Sequence, residues 1–209
     1  RQDKISWAFD RNFTNEQHFS SKKIRKTHRR LIVSKKALEL KKGQKMIEIK
    51  TTKEIILNAY YKAIQMGELK NSIMNGKGNF IGFVGEAAVK SFFNIPLNTD
   101  QNTYDYDIIL ENHPIDVKSK KTSVVPSLDF ECSVAAYNTK QKCKYYLFTR
   151  VYHPKDKRLP VSVYLMGYYP KELYYKNARF LKKGQIDGTN GFVVRDDCFN
   201  MYYQDLYPI

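Results

Sequence analysis

The chain predicts an α/β domain, a mixed central sheet flanked by helices, preceded by a basic N-terminal arm. Three observations carry that expectation. Two stretches with helical spacing, 51–67 and 79–93, come before a series of short apolar runs with strand character. At 209 residues the chain is long enough to bury a proper core. The charge is unevenly spread: of the 36 Lys+Arg, 15 fall in residues 1–50 against 5 Asp+Glu, out of a formal net charge of +15. Residues 1–45 therefore read as the arm and 46–209 as the domain.

Within the arm, Lys22, Lys23, Arg25, Lys26, Arg29 and Arg30 form the densest basic run. Lys and Arg at that density displace counterions from phosphates, giving affinity that is blind to sequence and sensitive to salt. Trp7, Phe9, Phe13 and Phe19 interrupt the charge. Aromatics are scarce in disordered tails, so these suit an anchor to the domain or to a protein partner. In the domain, Thr51-Thr52-Lys53-Glu54 reads as a capping box on a helix that buries Ile55, Ile56, Ala59, Tyr60, Ala63 and Ile64, with Gly67 as its stop. Asn79 is placed to cap the second helix, which Asn94 to Pro96 end. Gly82, Gly85, Ala87 and Ala88 leave it a narrow face for close packing on a sheet, and Glu86 is the one acid in that apolar run. A lone carboxylate there must be paired or bound to metal, and the alternative is an exposed Glu86 pairing with Lys90 one turn on.

The chemistry concentrates in residues 104–120. Alternation predicts a strand through Asp105, Asp107 and Ile109, a polar turn at Glu111 to Pro114, and a return strand with Asp116, Lys118 and Lys120 on one face. Two antiparallel neighbours of this kind bring carboxylates and an ammonium to one place. Asp oxygens suit a hard cation such as magnesium, and a lysine beside them can act on water. Asp107, leading straight into Ile108-Ile109-Leu110, is the stronger candidate of the two upstream acids.

Asp107, the apolar run, the turn and Asp116-Val117-Lys118 together resemble the PD-(D/E)XK nuclease superfamily, over roughly residues 79 to 150. Tyr106 stands where that pattern usually has proline. The resemblance implies a restriction-endonuclease-like fold and magnesium-dependent hydrolysis of DNA phosphodiesters, with manganese substituting. Carried residue by residue, it implies Glu86, Asp107, Asp116 and Lys118 as catalytic. The metal would be held by Glu86, Asp107, Asp116 and the Val117 carbonyl. Lys120 and Lys121 continue the basic edge and suit phosphate contacts. The run from Ala178 to Phe192 is similar to the closing segment of small phage or mobile-element nucleases. An endonuclease is the first expectation; a Holliday-junction resolvase, an exonuclease, and a non-catalytic nucleic-acid-binding module remain open.

Further strands are expected at 130–136, 144–152 and 161–169, with a turn at Pro170. Gln141 and Tyr145 have the Q-x-x-x-Y spacing of one exonuclease branch of the superfamily. Tyr164, Tyr168, Tyr169, Tyr174, Tyr175, Tyr202, Tyr203 and Tyr207 could stack on bases or could be core. Cys132, Cys143 and Cys198 fit neither a zinc site nor a disulfide framework, which points to a reducing, intracellular, cytoplasmic setting (a host's, if phage-encoded). No apolar run approaches the ~18 residues of a membrane span, so no membrane partner is expected. A homodimer is compatible with all of this.

Overall fold

A ten-residue strand and the strand parallel to it order everything else. The computed structural model describes residues 46–66, 79–98 and 104–209; the arm and its six basic candidates lie outside them, as do Gly67 and the loop after it. Among the described residues, strand β1 (Ile47–Lys50) is followed by helices α1 (Lys53–Met66) and α2 (Asn79–Phe92). Next come β2 (Ile108–Leu110), β3 (His113–Thr122), β4 (Glu131–Ala135), β5 (Tyr145–Tyr152) and β6 (Ser162–Pro170). Helix α3 (Lys171–Asn177), β7 (Arg179–Leu181) and β8 (Cys198–Tyr202) complete the order. A five-stranded sheet runs β1-β6-β5-β3-β2, antiparallel except for β3 with β5, and a separate antiparallel sheet runs β4-β8-β7.

The large sheet is covered differently on its two faces. Val151 and Val163 pack on Ile55, Ala59, Phe83, Val84, Ala87 and Ala88 of α1 and α2. Tyr146, Phe148, Tyr164 and Met166 pack the other way, onto Cys132, Val134 and Met201 of the small sheet, Tyr174 of α3 and Tyr203 just past β8. The two long helices thus cover one face, and the small sheet with the short helix α3 covers the other. Of the small sheet, β4 falls within the strand expected at 130–136, whereas β7, with three residues, and β8, with five, are too short for periodicity to register. Pro170 does not open a turn; it closes β6 and leads directly into α3.

Helix ends explain the rest of the helical layer. Thr52, not Thr51, caps α1, its Oγ1 accepting from Ile55 N at 3.2 Å, while Thr51 Oγ1 donates to Pro160 O at 2.6 Å. Tyr60 and Ile64, expected in the core, are exposed; Ile55 and Ala59 carry the buried stripe. At the end of α2 Asn94 adopts φ 56°, and Ile95 N donates to Lys90 O at 2.8 Å, satisfying carbonyls that the helix leaves open. Of the two glycines on α2, Gly85 makes the close approach, while a Cβ on Gly82 would point into open space. A Cβ on Gly85 would run into Ser119 Oγ and come within 2.8 Å of Thr149 Oγ1.

Arg150 joins the two sheets. It is buried, donates from Nε to Tyr203 Oη at 2.8 Å and from Nη2 to Glu131 O at 2.7 Å, and lies 5.3 Å from both the Phe130 and Tyr203 ring centres. Two aromatic faces and two acceptors replace the water that the guanidinium loses. Cys132 and Cys143 are buried, and burial pushes both thiols up to about 12, so neither is a reactive thiolate. None of the helices among the described residues is long and apolar enough to cross a membrane.

Two outcomes follow from this packing. Gly85→Ala should destabilise the domain by about 1–3 kcal/mol, since the helix must lift from β3 and β5; a denaturant midpoint equal to wild type would show that Ser119 simply turns away. At the sheet edge, Lys50 (2.6 Å), Ser162 (2.7 Å) and Tyr164 (3.0 Å) all donate to Glu48 Oε1, and they hold its carboxyl down from 4.5 to about 2. A depressed carboxylate contributes stability that is present above 4.5 and lost as pH falls toward about 2. Glu48→Gln should therefore lower the melting temperature at neutral pH, with the deficit closing across that window; a deficit constant with pH would assign it to packing.

Candidate active site

The hairpin β2–β3 builds the site. Its turn has two residues, Glu111 at φ 49° and Asn112 at φ 63°, with Leu110 opposite His113. Two successive left-handed residues match the twist of paired strands. The turn is thus shorter than the expected Glu111 to Pro114, and Pro114 lies inside β3, opposite Ile109. Strand β2 starts only at Ile108. Upstream of it, Asp107 continues the ladder by two routes: its N donates to Ile115 O at 3.0 Å, and its Oδ2 accepts from Val117 N at 2.7 Å. Asp105 goes elsewhere, accepting from Lys142 N at 3.3 Å and pairing with the Lys142 ammonium at 3.3 Å.

Asp116 and Lys118 stand on one face of β3, in register with Tyr146 and Phe148 of β5. The Lys118 ammonium pairs with Asp116 Oδ2, which is buried. It also donates to Gln141 Oε1 at 3.3 Å and sits 5.4 Å from the Tyr146 ring centre. Gln141, buried, donates from Nε2 to Asp116 Oδ1 at 3.2 Å and to Tyr104 O at 2.8 Å. One amide therefore fixes both members of the ion pair. Beneath it, Tyr146 Oη and Tyr175 Oη share a 2.7 Å hydrogen bond.

The electrostatics single out Asp107 and Lys118. Burial raises the Asp107 carboxyl well above its ordinary value, and the carboxylates of Asp116 and Glu86 raise it further. Lys118 and the Val117 N–H act against this without prevailing. For Lys118, burial works to lower the pKa, but the charges of Asp116 and Asp107 outweigh it and the value is raised. Lys118 is therefore an ammonium at neutral pH. It can orient water or neutralise an anion, and is poorly suited to accept a proton.

Glu86 is near enough to act on Asp107, yet its own charge is balanced within the helical layer. Its Oε1 lies 3.1 Å from Lys62 Nζ and 2.8 Å from Lys90 Nζ, with the Lys90 side chain 1 % exposed. The i+4 pairing seen as the alternative in the sequence is present, but buried, with Lys62 of α1 as a second partner. Lys120 is at the exposed end of β3, with Nζ 3.5 Å from Ser133 Oγ; burial and then the charge of Arg150 lower its pKa. Lys121 is exposed beside it, and its carbonyl accepts from Arg150 Nη1 at 3.4 Å.

For a hard divalent cation the donor set fits in part. Asp107 and Asp116 are close carboxylates whose mutual repulsion a cation would relieve, although Asp116 Oδ2 already has the Lys118 ammonium as a partner. Glu86 does not fit as a direct ligand in this arrangement, because two ammonium groups already neutralise it. No group of three His, Cys, Asp or Glu converges among the described residues. For Gln141 the sequence signal is the spacing to Tyr145, but Tyr145 itself packs away from the site, against the His113 and Tyr168 rings.

No family model, curated protein or solved structure matches the chain. Metal binding is nonetheless open to direct measurement. Asp107→Asn keeps an acceptor for Val117 N while removing the charge. Manganese at about 100 times its Kd should stabilise the wild type by about 2.7 kcal/mol, read as a rise in melting temperature reversed by EDTA. That rise should vanish in Asp107→Asn; a full shift in the variant would remove Asp107 from the ligand set.

Proposed function

We propose that the chain is a magnesium-dependent endonuclease of the restriction-endonuclease-like fold, hydrolysing DNA phosphodiesters. The observation that carries this reading is the grouping of Asp107, Asp116 and Lys118 at one sheet position, with the Asp107 carboxyl held well above its usual range by burial and then by the acids around it. A magnesium ion held by Asp107, Asp116 and the Val117 carbonyl would neutralise the phosphate and stabilise the leaving oxygen. Lys118 orients the attacking water as a fixed positive charge. Gln141 keeps Lys118 and Asp116 at their mutual angle, and Tyr146 supplies a π face that favours the ammonium. Glu86 acts through its field on Asp107 or through water. The +15 charge supports a polyanionic substrate, with Lys120 and Lys121 offered to phosphates beside the site and the arm to phosphates in general.

One observation favours a second reading. Glu86 already has two lysine partners, as an acid with a purely structural role would, and a nucleic-acid-binding module without turnover also accommodates that.

Cleavage of labelled duplex, single-stranded, flap, four-way-junction and RNA substrates separates the two. In magnesium or manganese, but not EDTA, the wild type should cut DNA. Lys118→Ala should lower the rate by about 100-fold or more, the usual scale for loss of a group that stabilises or orients in the transition state. Binding without cutting under every metal would establish the non-catalytic module. Cutting that survives Lys118→Ala would place the chemistry elsewhere.

A further inference from the structure

Of the eight tyrosines singled out in the last third of the sequence, Tyr164, Tyr168, Tyr169, Tyr174 and Tyr203 are buried, and Tyr175, Tyr202 and Tyr207 are partly buried. Two others, to which the sequence drew no attention as aromatics, stand beside the site. Tyr104 and Tyr137 are 58 % and 44 % exposed. Large rings left in water next to a buried ion pair have no part in the core.

Both are held in place by the groups that hold the site. Gln141 Nε2 donates to the Tyr104 carbonyl at 2.8 Å and to Asp116 Oδ1 at 3.2 Å, so Tyr104 and Asp116 hang from one amide. Tyr104 Oη donates to the Tyr137 carbonyl at 3.1 Å. Tyr137 belongs to the short 3₁₀ turn Ala136–Lys140 that runs directly into Gln141, and its phenol feels the charge of Lys118. Next to this pair, Lys140, Lys142 and Lys144 are exposed along the run into β5. Exposed rings interleaved with lysines are what an unpaired strand requires, since each base has a π face to stack and each phosphate a charge to meet. In a duplex those faces are covered by neighbouring bases, so exposed rings discriminate between the two forms.

We infer that Tyr104 and Tyr137 are specificity residues, a stacking platform that receives unpaired bases and presents a single-stranded DNA segment to Asp116 and Lys118. The substrate class is taken from the hydrolytic reading above, and narrows it to single strands and to flaps or branches that carry one.

Binding in EDTA isolates this from catalysis. The full chain is titrated with a single-stranded oligonucleotide carrying 2-aminopurine, and with a hairpin duplex of the same base content. Wild type should quench the fluorophore and bind the single strand more tightly than the duplex. Tyr104→Ala and Tyr137→Ala should each weaken single-strand binding by about 5-fold or more, with duplex affinity unchanged and quenching reduced. Tyr104→Phe and Tyr137→Phe should stay within about 2-fold of wild type, because the ring is what binds. Should either alanine variant fail to fold, the leucine variant is read in its place by the same criteria. Unchanged quenching and affinity in the non-aromatic variants overturns the inference. So does an equal loss on duplex and single strand, or a loss in the phenylalanine variants as large as in alanine. Quenching that depends on the rings without any cutting in magnesium would keep the platform and remove the nuclease. Cutting that is indifferent to the rings would do the reverse.

Discussion

The parallel pairing of β3 with β5 constrains the whole domain. Eight residues of each strand are matched, from Ile115 with Tyr145 to Thr122 with Tyr152. Parallel neighbours cannot be joined by a tight turn; the chain must travel back along the sheet before the second strand begins. A helix usually makes that return. Here residues 123–144 do it with β4 and a 3₁₀ turn, so the crossover itself becomes part of a second sheet and ends by laying Gln141 against Asp116 and Lys118. The site and the second layer are two results of one topological requirement.

Charge is arranged in separate balanced groups across the two faces of the sheet. On the helical side Glu86 sits between Lys62 and Lys90; on the other, Asp116 pairs with Lys118, and Glu131 with Arg179, which also reaches Asp187 at 3.3 Å. Asn190 and Asn200 complete the shell of Glu131, at 3.5 and 3.3 Å. Each buried acid thus has the cation that its desolvation demands. Asp107 departs from this pattern. Burial and two other acids outweigh the Lys118 ammonium and the backbone N–H that favour its charge, which is the condition under which a group accepts an added positive charge or a proton.

Local signals were legible in the sequence and distant partners were not. The two helices, the apolar runs that became β3, β5 and β6, and the hairpin that juxtaposes Asp107 with Asp116 all follow from periodicity and turn chemistry over a few residues. Glu86 illustrates the limit: its burial was readable from the small residues around it, but Lys62, 24 residues earlier on another helix, gives no local sign of being its partner. Gln141 acquires its role only once the crossover is folded. The tyrosines make the same point in reverse, for density in sequence marked the core, while the exposed pair is separated by 33 residues and joined by one hydrogen bond.

The two-residue turn at Glu111 and Asn112 has a bearing on how such a chain can change over time. Strand side chains alternate, so a single inserted or deleted residue in that turn would rotate Asp116 and Lys118 to the helical side and bring Val117 in their place. The hairpin can drift by substitution but not by length. The segment 123–129 carries no such bookkeeping, since it lies between strands of different sheets. Lineages descended from this fold would therefore diversify by lengthening the crossover, while the spacing from Asp107 to Asp116 stays frozen as a fossil of the ladder.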